Sequence, residues 1–115
     1  MADNILKHFD DIREAITAID RFVHGKTSDE YMQDELLQSA IERKCEIIGE
    51  ALNRIRRDAP TLLTTIREHR NIISFRNILA HGYDSIDHHI VWGIITEDLA
   101  RLREDVARFI AEQGL

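Results

Sequence analysis

A chain of 115 residues can bury one hydrophobic core and is too short for two independent domains. Its composition, 43% apolar and 31% charged with a single cysteine, is that of an ordinary soluble protein and excludes an internal disulfide. The formal net charge of -6 argues against a partner recognised purely by a basic surface.

Residues 4–23 place Ile5, Phe9, Ile12, Ile16, Ile19 and Phe22 at alternating spacings of four and three, which predicts a helix with one narrow apolar seam. Gly25 ends it, and Lys26-Thr27-Ser28-Asp29 supplies the cap of the next helix. That second helix is expected to run over residues 30–57. Leu37, Ile41, Ile48, Leu52 and Ile55 continue the seam, and Cys45 fills its gap as a buried thiol. Gly49 in the interior of this helix is explained by close packing. Asp58-Ala59-Pro60 breaks the pattern, with the only proline where a first helical turn tolerates it, and a short helix over 61–70 follows.

The charge is unevenly spread. Residues 43–76 hold eight of the fifteen Lys and Arg (Arg43, Lys44, Arg54, Arg56, Arg57, Arg67, Arg70, Arg76) against Glu46, Glu50, Asp58 and Glu68, so the segment is +4 and the remainder -10. A basic middle suits an anionic substrate; it equally suits a solvated helix surface.

The basic segment leads into Asn71-Ile-Ile-Ser-Phe-Arg76-Asn-Ile-Leu-Ala-His81-Gly-Tyr83, where Arg76, Asn77, His81 and Tyr83 bring a permanent cation, an amide, an imidazole and a phenol onto an apolar frame. The segment also reads as an apolar helix over 72–80 that Gly82 ends, with His81 and Tyr83 as boundary residues. At about 100° per residue, Arg76 and His81 lie roughly 140° apart on a straight helix. Either the chain breaks at Gly82 and re-aims His81, or a second copy across a two-fold axis completes the pair.

Beyond Tyr83, Asp84 or Ser85 is placed to cap a final helix opened by Ile86-Asp87. Ile90, Ile94, Leu99, Leu102, Val106, Phe109 and Ile110 carry its seam, and Trp92 is read as packing. His88 and His89 are adjacent, without the i, i+4 spacing of a helical metal site, and no metal or other cofactor is expected. No apolar run approaches the roughly 20 residues of a bilayer span, and Met1-Ala-Asp-Asn lacks the basic start of a signal peptide, so a cytoplasmic protein with no membrane partner is expected. With no strand pattern, the fold class is all-α, an up-and-down bundle of four to five helices forming one domain over residues 1–115.

The arrangement R-x-x-x-x-H-x-Y, here Arg76-Asn-Ile-Leu-Ala-His81-Gly-Tyr83, resembles the signature of HEPN-domain ribonucleases, specifically the HepT-like toxins paired with an MNT-type nucleotidyltransferase antitoxin. Ile48-Gly-Glu-Ala51 in the long helix and Val91-Trp92 in the last one are similar to further family landmarks. The family often has a proline and an aromatic residue before the motif; Pro60 is present, but Thr64-Thr65-Ile66 has no aromatic. The resemblance implies a homodimer, a catalytic pair in Arg76 and His81, and a Tyr83 that accepts AMP from the partner enzyme.

The chemistry suits those residues. RNA carries its own nucleophile in the 2′-hydroxyl, so cleavage needs a base, an acid and a cation for the charged phosphorane, and no metal. Histidine serves as base or acid near neutral pH, and the arginine fork holds two phosphate oxygens. Asn77 is a polar helper or a surface residue. A different class of function also fits the sequence: a non-catalytic bundle that docks a nucleotidyltransferase or its substrate.

Overall fold

The computed structural model describes residues 2–66 and 87–113. Helix α1, Ala2–Val23, forms where the seam was expected. Phe9, Ile12, Ile16 and Ile19 are fully buried, while Ile5 and Phe22 at its two ends are partly buried. Each such core side chain contributes about 1.5–3 kcal/mol relative to an exposed one. Gly25, at φ +74°, takes the left-handed conformation that ends a helix without a Cβ clash.

The expected single helix over residues 30–57 is two helices, α2 (Ser28–Met32) and α3 (Glu35–Asp58). The division lies in the caps. Thr27 opens α2 with a reciprocal capping box: its Oγ1 accepts from the Glu30 N–H at 3.1 Å, and its own N–H donates to Glu30 Oε1 at 3.0 Å. Asp34 opens α3 by accepting the Leu37 N–H at 3.0 Å, which requires an extended backbone at Asp34 and so interrupts the helix. A capping aspartate within an otherwise helical pattern outweighed the apolar periodicity. Gln38 spans the break, its Nε2 donating to the Tyr31 carbonyl at 2.9 Å in a buried bond.

In α3, Leu37, Ile41, Ile48, Leu52 and Ile55 are buried as expected, and so are Cys45 and Gly49. Burial pushes the Cys45 thiol up to about 12, with the nearby Glu42 and Glu46 charges adding to it. The short helix after Pro60 is a 3-10 turn, Pro60–Thr65, closed by extended backbone at Ile66, and the rest of the expected 61–70 helix lies outside the described residues. With Thr64 and Thr65 donating their hydroxyls back to the Thr61 and Leu62 carbonyls, the turn offers its own backbone an alternative to α-helix.

The chain is next described at Asp87, which caps α4 (His88–Gly93) by accepting the His89 N–H at 2.9 Å. The cap is thus Asp87, not Asp84 or Ser85. A π-turn, Ile94–Asp98, joins α4 to α5 (Leu99–Glu112), the Leu99 N–H reaching back to the Ile94 carbonyl. Each π-turn takes in one residue beyond α-helical spacing. The buried seam here is Val91, Ile95, Leu99, Leu102, Val106 and Phe109, whereas the expected Ile90 is 58% exposed and Ile94 only partly buried. The one-residue offset ahead of Leu99 is the register change that the π-turn absorbs.

Cross-helix contacts fix the directions. His8 meets Asp58, Asp20 pairs with Arg103, and Phe9 stacks on Phe109, so α1 runs antiparallel to both α3 and α5. The described residues therefore form an all-α bundle with α1, α3 and α5 around one core. No helix among them is long and apolar enough to cross a membrane.

Candidate functional site

Arg76, Asn77, His81 and Tyr83, together with Gly82, Asp84 and Ser85, lie outside the described residues. The structure describes the two flanks between which the motif is strung, and each flank is anchored in the core.

On the approach side, Ala59 donates its N–H to the Ile55 carbonyl at 2.7 Å and holds a non-helical backbone, which turns the chain off α3. Leu63 and Ile66 then point inward and are buried. Beside this turn, at the junction of the start of α1 and the end of α3, His8 Nε2 lies 3.3 Å from Asp58 Oδ2, and Arg57 donates to both Asp58 oxygens at 2.7 and 3.1 Å. The Arg57 guanidinium holds the Asp58 carboxyl down at about 2, with His8 adding in the same direction. Asn4, Ile5, Arg57 and Asp58 line a cavity of about 460 Å³ there.

On the return side, the first turn of α4 is braced by α2. The Tyr31 ring, fully buried, lies edge-on to His88 with centroids 6.1 Å apart and tilted against Trp92 at 5.3 Å. Trp92 is therefore packing, as expected. Burial raises the Tyr31 phenol above its ordinary value, Glu42 and Cys45 adding to the effect, so this hydroxyl keeps its proton. Glu42, on α3 beneath it, has its carboxyl raised mainly by burial. Among the described residues, neither the Tyr31 hydroxyl nor His88 Nδ1, both buried, has a hydrogen-bond partner. The sequence offered no signal for a core tyrosine in so short a helix. Its i+7 partner Gln38, also buried, is the only local hint.

A second buried polar residue that sequence reasoning missed is Asp105, 1% exposed on α5 among Leu102, Val106 and Phe109 and paired with Arg108. It shares a cavity of about 250 Å³ with Thr64 and Thr65 of the approach turn. Of the eight cations in the basic middle, five are described. Arg43 and Arg57 are engaged by Glu46 and Asp58, while Arg54 and Arg56 are exposed. Among the described residues, no three His, Cys, Asp or Glu side chains are grouped to hold a metal ion.

Residues 12–109 match the family model described as "Ribonuclease HepT-like", a stretch that takes in the approach turn, the motif and the return into α4. A Thermococcus cleftensis protein named "Probable ribonuclease HepT" is 32% identical over 96 residues, covering 84% of this chain and 86% of that protein. A candidate RNase of Methanocaldococcus jannaschii is 29% identical over 96 residues, with 84% and 87% covered. From the same organism, a protein named for gamma-glutamylcyclotransferase and candidate RNase is 28% identical over 118 residues, and the chain spans 50% of its length. No solved structure matches the chain. With the family model covering nearly all of the helical bundle and the motif strung between its anchored flanks, the chain belongs to the HepT-like ribonuclease family.

Proposed function

We propose that the chain is the toxin of a toxin-antitoxin pair, a cytoplasmic, metal-independent endoribonuclease working as a homodimer. The observation that carries this reading is the Arg76–His81–Tyr83 arrangement standing inside the stretch that the ribonuclease family model matches. Arg76 clamps the scissile phosphate, and one His81 takes the 2′-hydroxyl proton as that oxygen attacks phosphorus. The 5′-oxygen leaves with a proton from the second His81, contributed by the other copy, and the product ends in a 2′,3′-cyclic phosphate. Asn77 is an auxiliary polar contact. Two copies meet the difficulty that positions 76 and 81 of an ideal straight helix fall on different faces.

Neutralisation follows from the phenol two residues past His81. An MNT-type nucleotidyltransferase antitoxin transfers AMP from ATP to the Tyr83 oxygen with release of pyrophosphate. The phosphodiester adds a negative charge near Arg76, where it competes with RNA phosphate for the guanidinium.

The test incubates purified protein with end-labelled RNA in excess chelator, beside Arg76→Ala and His81→Ala. Cleavage leaving cyclic phosphate, a dimer by light scattering, and a loss of about 10²-fold or more in His81→Ala are expected. Wild type treated with the partner and ATP gains adenylate on Tyr83, read by intact mass and peptide fragmentation, and Tyr83→Phe does not. Dependence of cleavage on a divalent ion overturns the mechanism. No cleavage at all leaves a binding subunit that docks the nucleotidyltransferase.

A further inference from the structure

Among the described residues, two buried polar atoms without hydrogen-bond partners belong to neighbouring rings where the chain is next described after the motif: the Tyr31 hydroxyl on α2 and His88 Nδ1 at the first position of α4. Tyr31 is fully buried, and its ring stands at 78° to the His88 imidazole with centroids 6.1 Å apart. Buried polar groups are nearly always satisfied, so two such atoms on neighbouring rings point to a shared partner. Their chemistry is complementary: the phenol offers an O–H, and the imidazole with its proton on Nε2 offers a lone pair. Two or more polar partners around one point are what an internal water requires.

We propose that a buried water, accepting from the Tyr31 hydroxyl and donating to His88 Nδ1, ties α2 to the first turn of α4, and that Tyr31 and His88 are thereby positioning residues for the motif. The connection runs along the chain, because His88 lies five residues beyond Tyr83 and seven beyond His81. Fixing the first turn of α4 fixes the return end of that segment, as buried Leu63 and Ile66 fix its approach. The capping box and the Gln38 bond that hold α2 in place gain a purpose in this arrangement: they support the Tyr31 brace. The consequence for RNA cleavage rests on the ribonuclease reading above; the water bridge does not.

A bridge and simple packing rank the same substitutions in opposite orders. Tyr31→Phe keeps the ring and removes the donor. His88→Asn places an amide oxygen where Nδ1 stood, and His88→Phe keeps the aromatic edge without an acceptor. With the bridge, Tyr31→Phe and His88→Phe both displace the backbone amide signals of residues 76–83 in heteronuclear spectra of the full chain, leave those of α1 in place, and lower kcat on RNA by about 10-fold to 10²-fold with KM little changed. His88→Asn then stays close to wild type. With packing alone, Tyr31→Phe and His88→Phe are silent and His88→Asn is the damaging change; that order overturns the proposal. If wild type does not cleave RNA, the ribonuclease reading fails, and the amide signals of the three variants still decide the bridge.

Discussion

Replacing Phe9 by alanine tests the seam that holds the three long helices together. Phe9 is fully buried on α1, and its ring stacks on Phe109 of α5 with centroids 3.9 Å apart and 17° between planes. Truncating a buried phenylalanine costs about 3–5 kcal/mol, of which the ring pair supplies about 0.5–1.5 kcal/mol. At about 2.1 cal/mol/K per residue, the 115-residue chain has an unfolding entropy near 0.24 kcal/mol/K, so Tm falls by roughly 12–20 °C. Thermal unfolding followed by far-UV circular dichroism reads this directly, at one fixed protein concentration because association also moves Tm. A cycle with Phe109→Ala isolates the stacking part as non-additivity. A native-like Phe9→Ala that melts within about 4 °C of wild type, a shift worth only about 1 kcal/mol, refutes the packing of α1 on α5.

Thr27→Ala removes one half of the capping box of α2 and lowers stability by about 0.5–2 kcal/mol in urea; an unchanged midpoint means the cap is idle. Asp58, held at about 2 by Arg57 and His8, binds its proton more weakly in the folded chain than in the unfolded one, where carboxyls titrate near pH 4. Its contribution is present above about pH 4 and is lost as pH falls toward 2, so Asp58→Asn flattens the acid arm of a urea-midpoint profile, and parallel acid arms contradict the ion pair. Cys45, pushed up to about 12, works in the opposite sense: stability is lost as pH rises from about 8.5, where the unfolded thiol ionises. At neutral pH its reaction with a disulfide reagent follows the unfolding rate, and immediate reaction in the folded protein rules out the buried position.

The long elements were legible because their apolar spacing is long and regular. Phe9, Ile12, Ile16 and Ile19 form an uninterrupted seam, and all are fully buried. The same periodicity misled where a local hydrogen bond competed with it. Residues 30–57 read as one helix because Leu37 and its successors continue a 3.6-residue pattern, while one carboxylate at Asp34 was enough to restart the helix. On α4 the seam was set one residue early, since a π-turn shifts register and leaves no mark in composition. The site shows the same division. A cation, an imidazole and a phenol in eight residues stand out by chemistry, whereas Tyr31, His88 and Asp105 acquire meaning only from long-range packing.

The chain's charge limits how strongly it attracts RNA. The described part of the basic middle, residues 43–58, holds five cations (Arg43, Lys44, Arg54, Arg56, Arg57) and three acids (Glu46, Glu50, Asp58), a balance of +2. Arg43 and Arg57 are engaged by Glu46 and Asp58 on their own helix, which takes out equal charge of both signs, so Lys44, Arg54 and Arg56 carry what is only a small surplus for a general phosphate-binding surface. Against a net charge of -6, nonspecific attraction of RNA to one copy is weak. On the proposed ribonuclease reading, affinity for RNA is then expected to rest on a few cations, chiefly Arg76, taken twice in a homodimer. On that reading, the negative charge of a phosphodiester at the proposed Tyr83 position offsets a large share of so small a cationic surplus, and the expected result is weaker RNA binding by the AMP-modified protein than by the unmodified one.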